Sequence, residues 1–401
     1  VPLTLDGEDK SEVVSARIDR QFSVVDSGVY TLLVASCGAP DASMSARIVV
    51  HNAHGFLPGH LYGLLRVFSW LYIAYACVAA IWTAMLIVAS IRATSVSVSA
   101  QSIGVAAPTL LHAALSGLLF IGLFETLLLR HAYVSANDTG EPLSAPLPVA
   151  LVLGTALSVL RRAAAKALIL MLAAGWGITR PTFPIGFVRA VVLLASLSAV
   201  FALAHEVSGS ARGAHAVGAV AQSRAVALLL TLLTDVPLAL LDLALGVWVF
   251  SELAKTRSLV RERGHSARLS FYRMFTLALV FFLAVGVTVL VVTAVLASRA
   301  APHDRWHRQH WQSFFLFGGL PSGGAAWDIA GFGLLVALLA LFAPGRAGSA
   351  ALYSRASSDG REESDGAAGS EPFMLSSMEH MSPSALPAGV DVKEFFTLED
   401  D

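Results

Sequence analysis

Long apolar runs bounded by Arg, Pro or Gly recur seven times in the second and later parts of the chain. They cover Val67–Ile91, Ile103–Leu129, Val149–Trp176, Val188–Ala204, Ala225–Phe250, Met274–Leu296 and Ala326–Phe342. A hydrocarbon core about 30 Å thick needs roughly 20 mostly apolar residues per helix, so each run predicts a transmembrane helix. The fourth and seventh are the shortest. The seventh is expected to begin earlier, near Phe314, with a Gly/Pro break over Gly318–Gly324. Before the first run the pattern changes period: Glu12–Asp19, Gly28–Cys37 and Ser45–Val50 alternate apolar and polar positions between turn residues, which predicts strands. Three strands bury too little to close a sandwich alone. With a start at Val1 and no initiator Met or signal peptide, residues 1–52 read as the C-terminal part of a lumenal β domain. Residues 60–343 form the bundle. Residues 344–401 turn to Gly, Ser, Pro and acidic residues and predict a disordered tail. The expected fold class is an all-α polytopic membrane protein, a seven-helix bundle between these two ends.

Composition narrows the function. Of 401 residues 56% are hydrophobic and 14% charged, with a mean hydropathy of +0.69, whereas a soluble domain is about 25% charged. This excludes a soluble enzyme. A net charge of −1 and only two cysteines exclude a nucleic-acid binder with a basic field and a disulfide-stapled module. Cys77 lies inside a span, so Cys37 is expected to pair with a cysteine outside this chain. Lys255, Arg257, Arg261, Arg263, Arg268 and Arg273 between spans five and six place that connection in the cytosol, although Arg299, Arg305 and Arg308 dilute the bias. The N-terminus is then lumenal and the tail cytosolic, and Asn137-Asp138-Thr139 becomes a lumenal glycosylation candidate.

Charges inside spans are expensive and face the bundle interior. Span three carries Arg161, Arg162 and Lys166, span five Asp235 and Asp242 seven residues apart, and span two Glu125. Two compatible readings follow. One is an ion-pair network that sets helix register. The other is a hydrated cavity in which the cations meet lipid phosphates or set the field on a cation path lined by Glu125, Asp235 and Asp242. His112, among Leu and Ala, reads as a hydrogen-bonded core residue, and Pro237 predicts a local kink in span five. His303, His307 and His310 have only Asp304 beside them and no Cys, which argues against a metal site. No phosphate loop, nucleophile elbow or CxxC is present, so neither enzymatic activity nor a cofactor is expected. Glu371–Leu375 and Phe395-Phe396 in the tail are candidate contacts for sorting machinery.

Several motifs then occur in a familiar order. They are His54-Gly55-Phe56-Leu57-Pro58-Gly59 before span one, Gly122-Leu123-Phe124-Glu125 in span two, and Leu160-Arg161-Arg162 followed by Lys166 in span three. Gly175-Trp176-Gly177-Ile178-Thr179-Arg180-Pro181 follows at its exit, then Leu241-Asp242 with Trp248, Ser270-Phe271-Tyr272-Arg273, and Asp304-Arg305-Trp306. The series resembles the Golgi-dynamics-domain seven-transmembrane proteins, also called the lung seven-transmembrane receptor family, and is most similar to their transmembrane protein 87 branch. The resemblance implies a Wntless-like bundle with a lipid-accessible cavity, Golgi residence, and a Golgi-dynamics β domain of which Ser27–Cys37 looks like the end. It also implies a role in endosome-to-Golgi retrograde transport or in chaperoning cargo or lipid, or else a pH- or voltage-responsive cation channel. The expected partners are a membrane lipid in the cavity, a lumenal cargo protein and sorting machinery on the tail. The last lumenal loop has no Cys, so a family disulfide between that loop and the β domain is not expected. Span three ends without an Asp/Glu-Arg-Tyr triplet and span seven lacks Asn-Pro-x-x-Tyr, which argues against a G-protein-coupled receptor.

Overall fold

A computed structural model of the chain describes residues 49–97, 110–140, 147–180, 183–215, 224–264, 266–298 and 324–344, with Ser23, Leu143 and Leu316 besides. Among the described residues there are seven helices: α1 Gly59–Ser97, α2 Leu110–Thr139, α3 Val149–Ala173, α4 Ile185–His215, α5 Arg224–Glu262, α6 Ser266–Ser298 and α7 Ala325–Leu341. Consecutive helices are neighbours and α7 returns to α1 and α2, so the bundle closes on itself. α3 additionally packs on α5, so it meets three helices.

The helices overrun the apolar stretches that announce them, because the backbone ladder continues where the hydrocarbon ends. α5 runs on past Phe250 to Glu262, and α6 begins at Ser266, so Lys255, Arg257, Arg261, Arg268 and Arg273 stand on helices. The connection itself shrinks to a turn at Arg263-Gly264, where Gly264 has φ +69°. The described part of α2 begins at Leu110, two residues after Pro108, and the expected start at Ile103 lies outside the described residues. α3 stops at Ala173 rather than Trp176: Gly175 and Gly177 take φ +99° and +75°, a conformation that ends helices and favours glycine. A Cβ on Gly175 would lie 1.9 Å from Thr179 Oγ1. The freed carbonyl of Ala173 accepts a 2.8 Å bond from Thr256 Oγ1, tying this exit turn to α5. Pro237 sits inside α5, which continues through it.

Five helices contain stretches long and apolar enough to cross a membrane: Leu61–Arg92, Leu110–Thr139, Ile185–Val207, Leu232–Glu262 and Arg268–Val295. The other two fall short for different reasons. α3 carries three cations, and α7 has 17 residues, about 25 Å at 1.5 Å per residue. Both lie against the interior. Two apolar clusters hold the bundle. The larger centres on Tyr75, Leu115, Leu170, Tyr272, Phe275 and Phe342. His112 belongs to this region, with Nε2 3.1 Å from Phe342 O and its ring stacked on Trp82. The smaller cluster, at the opposite end, joins Leu57, Leu64, Phe68, Leu129, Tyr133 and Ala325.

That end is closed by the turn before α1. Asn137, on the last turn of α2, donates from Nδ2 to His54 O at 2.9 Å and accepts at Oδ1 from Leu57 N at 3.3 Å, while Phe56 N donates to Asn137 O at 2.9 Å. Gly55, at φ +128°, is required because a Cβ there would lie 2.4 Å from Asn137 Nδ2. Asn137→Ala should lose about 1–3 kcal/mol from the two side-chain bonds and the unsatisfied groups they leave. Thermal unfolding in nanodiscs measures it, and a midpoint equal to wild type would show that the turn holds without the clamp.

Val49 and Val50, the end of the third expected strand, are not in a strand. The rest of the three expected strands, Cys37, the loop histidines, the break at Gly318–Gly323 and the acidic tail lie outside the described residues.

Candidate functional site: a charged cluster inside the bundle

Arg161 stands at the middle of α3, twelve residues from either end, which is about 18 Å by helical rise. Its guanidinium takes Glu125 of α2 in a forked pair: Nε donates to Oε2, and Nη2 donates to Oε1 at 3.1 Å. The same Nη2 reaches Asp328 Oδ1 of α7 at 3.2 Å. Asp328 also accepts from Arg162 Nη2 at 3.3 Å, and Arg162 Nη1 extends to Glu206 Oε1 of α4 at 3.5 Å. The chain Glu125, Arg161, Asp328, Arg162, Glu206 therefore crosses from α2 through α3 and α7 to α4. Glu125 is 1% exposed and Arg161 7%, so this pair is fully withdrawn. A buried charge is tolerated only with such partners, since isolated desolvation costs several kcal/mol per ion.

The backbone around the guanidinium is shaped for it. α7 begins at the level of Arg161, after Gly324 at φ +81°, and Asp328 falls in its first turn, where a carboxylate also complements the helix dipole. One turn on, a Cβ at Gly331 would sit 3.2 Å from Arg161 Nη1. On the α1 side, the Tyr75 ring lies directly on Gly122 of α2 and edge-on to Phe332 of α7.

Lys166 and Asp242 form a second pair between α3 and α5, with Ser198 Oγ of α4 accepting from Lys166 Nζ at 3.0 Å. Here the protein gives less cover: Asp242 is 46% exposed and Lys166 27%. Asp235 does not meet the α3 cations. It pairs with His205 Nδ1 of α4 and accepts from Thr234 Oγ1 at 2.8 Å.

Of the residues singled out in the sequence, Glu125 and Arg161 come together, as do Lys166 and Asp242, whereas Asp235 stands apart. Asn137 serves the α1 turn, and Cys37 lies outside the described residues. Sequence reasoning missed Asp328, Glu206 and His205. Asp328 is the third residue of the seventh apolar run, and His205 and Glu206 follow directly on the fourth. A charge at the end of a run reads as a headgroup contact, but here helices overrun their apolar stretches, and α7 starts within the bundle rather than at its rim. Among the described residues no group of three or more His, Cys, Asp or Glu is placed to hold a metal ion.

Seven helices closed around a mid-depth guanidinium–carboxylate cluster define a polytopic membrane bundle. The chain belongs to the family described as GOST, seven transmembrane domain, which matches residues 63–348. Among its relatives, it is 25% identical to transmembrane protein 87A of Mus musculus and 24% identical to that of Homo sapiens, in each case over 67% of this chain and 42% of the relative. It is 26% identical to transmembrane protein 87B of Mus musculus over 48% of this chain and 32% of the relative. The chain spans less than half the length of these curated relatives.

Proposed function

We propose that this chain is a Golgi multi-pass protein, N-terminus lumenal and C-terminus cytosolic, that acts in membrane traffic by holding a lipid or acylated cargo segment in a cavity of the bundle. The observation that supports the reading is the Lys166–Asp242 pair. It lies well inside α3 and α5, yet Asp242 is 46% exposed. Acyl chains cannot solvate a carboxylate, so this pair calls for water or a polar headgroup, and a phospholipid brings both an anionic phosphate for Lys166 and an acyl tail for the apolar surroundings. Lumenal cargo and sorting machinery on the tail complete the proposal. Native mass spectrometry of protein released from nanodiscs should show a retained phospholipid, lost when Lys166 and Asp242 are replaced together by Met and Leu. A wild-type protein that retains none would overturn the cavity reading. Unchanged retrieval of recycling cargo after clean deletion would overturn the role in traffic.

A second reading, a pH- or voltage-responsive cation channel, has its own support. Among the described residues the interior pairs contain five carboxylates, Glu125, Glu206, Asp235, Asp242 and Asp328, against three Arg and Lys side chains. An excess of acidic groups attracts cations. Purified protein in liposomes should then pass K⁺ or Na⁺, with the flux altered by Asp242→Asn. Flux equal to that of empty liposomes rejects the channel.

A further inference from the structure

The cluster around Arg161 does not balance. Its described members are two guanidiniums, Arg161 and Arg162, and three carboxylates, Glu125, Asp328 and Glu206. With all five ionised it carries one net negative charge at a depth where both members of its central pair are withdrawn from solvent. A fixed excess charge there is costly, and one bound proton removes it.

The geometry says which carboxylate holds that proton. Glu125 accepts two bonds from one guanidinium, the forked arrangement that suits an ionised carboxylate best. Asp328 accepts from two guanidiniums and sits in the first turn of α7. Glu206 has one contact, to a nitrogen of Arg162 at 3.5 Å, and that same guanidinium is shared with Asp328. Its side chain is 13% exposed, more enclosed than Arg162 at 30%. Every element packed around it bears on its state. Arg162 faces it from α3, Asp328 from α7, and Tyr133 of α2 lies within electrostatic range. His205, its neighbour on α4, is paired to Asp235 of α5, with Lys166 and Asp242 bridging α3 and α5 further along.

We infer that Glu206 is a proton-binding site of the bundle interior: its carboxyl carries the proton that neutralises the Glu125–Arg161–Asp328–Arg162–Glu206 cluster. Releasing that proton leaves Glu206 and Asp328 as two anions sharing Arg162, so that Glu206 of α4 is drawn to Arg162 of α3 and repelled by Asp328 of α7. His205, on the same turn, couples the event to α5 through Asp235. The inference stands independently of whether the cavity holds a lipid or passes an ion.

Dicyclohexylcarbodiimide tests it directly, because it adds to protonated carboxyls in apolar surroundings and leaves a stable acylurea. Full-length protein in nanodiscs near neutral pH should carry the adduct on the peptide containing Glu206, with Glu125 and Asp328 unlabelled, and Glu206→Gln should abolish it. An adduct at Glu125 or Asp328 instead, no adduct at all, or labelling suppressed by Na⁺ or K⁺ would each overturn the assignment, the last by showing a metal cation in place of the proton. A second measurement does not depend on reactivity. A folded state that holds one more proton than the unfolded chain loses stability as pH rises. In a His205→Gln background, where that imidazole cannot contribute, the unfolding midpoint should fall as pH rises above the ordinary glutamate pKa of about 4.3. Adding Glu206→Gln should flatten that slope. An unchanged slope would sink the proposal.

Discussion

Arg161→Ala is expected to be the most damaging single substitution in the bundle, lowering stability by about 3–5 kcal/mol, because it leaves the buried Glu125 carboxylate with no counter-charge and Asp328 with one guanidinium instead of two. Glu125 has the Arg161 guanidinium as its ion-pair partner, and Asp328 would keep only the 3.3 Å contact to Arg162. Arg161→Lys should fall between Ala and wild type: it keeps the charge but cannot reach Glu125 through two nitrogens and Asp328 at once. The loss should be largely recovered by removing the charge from Arg161 and its two direct partners together, with Arg161→Met, Glu125→Gln and Asp328→Asn combined, since most of the penalty belongs to the abandoned anions rather than to the missing attraction. Unfolding midpoints in nanodiscs, read as a double- and triple-mutant cycle, measure this. An Arg161→Ala protein as stable as wild type would show that the carboxylates are not held as buried anions.

Gly122→Val is expected to cost about 1–3 kcal/mol by overpacking. A Cβ at Gly122 would come within 2.5 Å of Tyr75 Cε1, 2.7 Å of Cζ and 2.9 Å of the hydroxyl. Tyr75 has no room to retreat: it is 0% exposed and packed edge-on against Phe332. Gly117 on the same helix supplies the comparison, for nothing lies within 4 Å of its Cβ position. Gly117→Ala should therefore be neutral or stabilising by up to about 1 kcal/mol, the helix-propensity gain over glycine. Equal effects at the two positions would show that helix propensity, and not the contact with Tyr75, governs Gly122. The Tyr75 hydroxyl adds a further comparison, because it finds no hydrogen-bond partner among the described residues. Tyr75→Phe should be neutral or stabilising.

Much of this architecture is legible in the amino-acid order, and the parts that are not have a common cause. Seven apolar runs announce seven helices because a hydrocarbon core imposes a minimum length and a composition on anything that crosses it. The span-three cations Arg161, Arg162 and Lys166 stand out for the same reason: charge at membrane depth is rare enough to be noticed without a structure. Gly55, Gly122 and Gly175 recur within motifs, but only the fold shows what each makes room for, namely Asn137, Tyr75 and Thr179. Element ends are less legible. α5 and α6 continue through a segment whose cations read as a loop, since nothing outside the hydrocarbon obliges a helix to stop before Gly264.

The amino-acid sequence by itself determined the class of protein, the seven helices of the described residues and the placing of Arg161, Arg162 and Lys166 inside one of them, because these follow from local composition against a fixed solvent thickness. The tertiary structure alone decided the partners. Asp328 and Glu206 sit at the ends of apolar runs, and nothing local distinguishes a terminal carboxylate that meets a headgroup from one that meets Arg161 or Arg162. That choice depends on how far α7 starts inside the bundle and how far α4 overruns its apolar stretch. It sent Asp235 to His205 rather than to the α3 cations, and among the described residues it set three carboxylates against two guanidiniums. Charge balance is a sum over groups that four helices bring together, so no single stretch of the chain contains it.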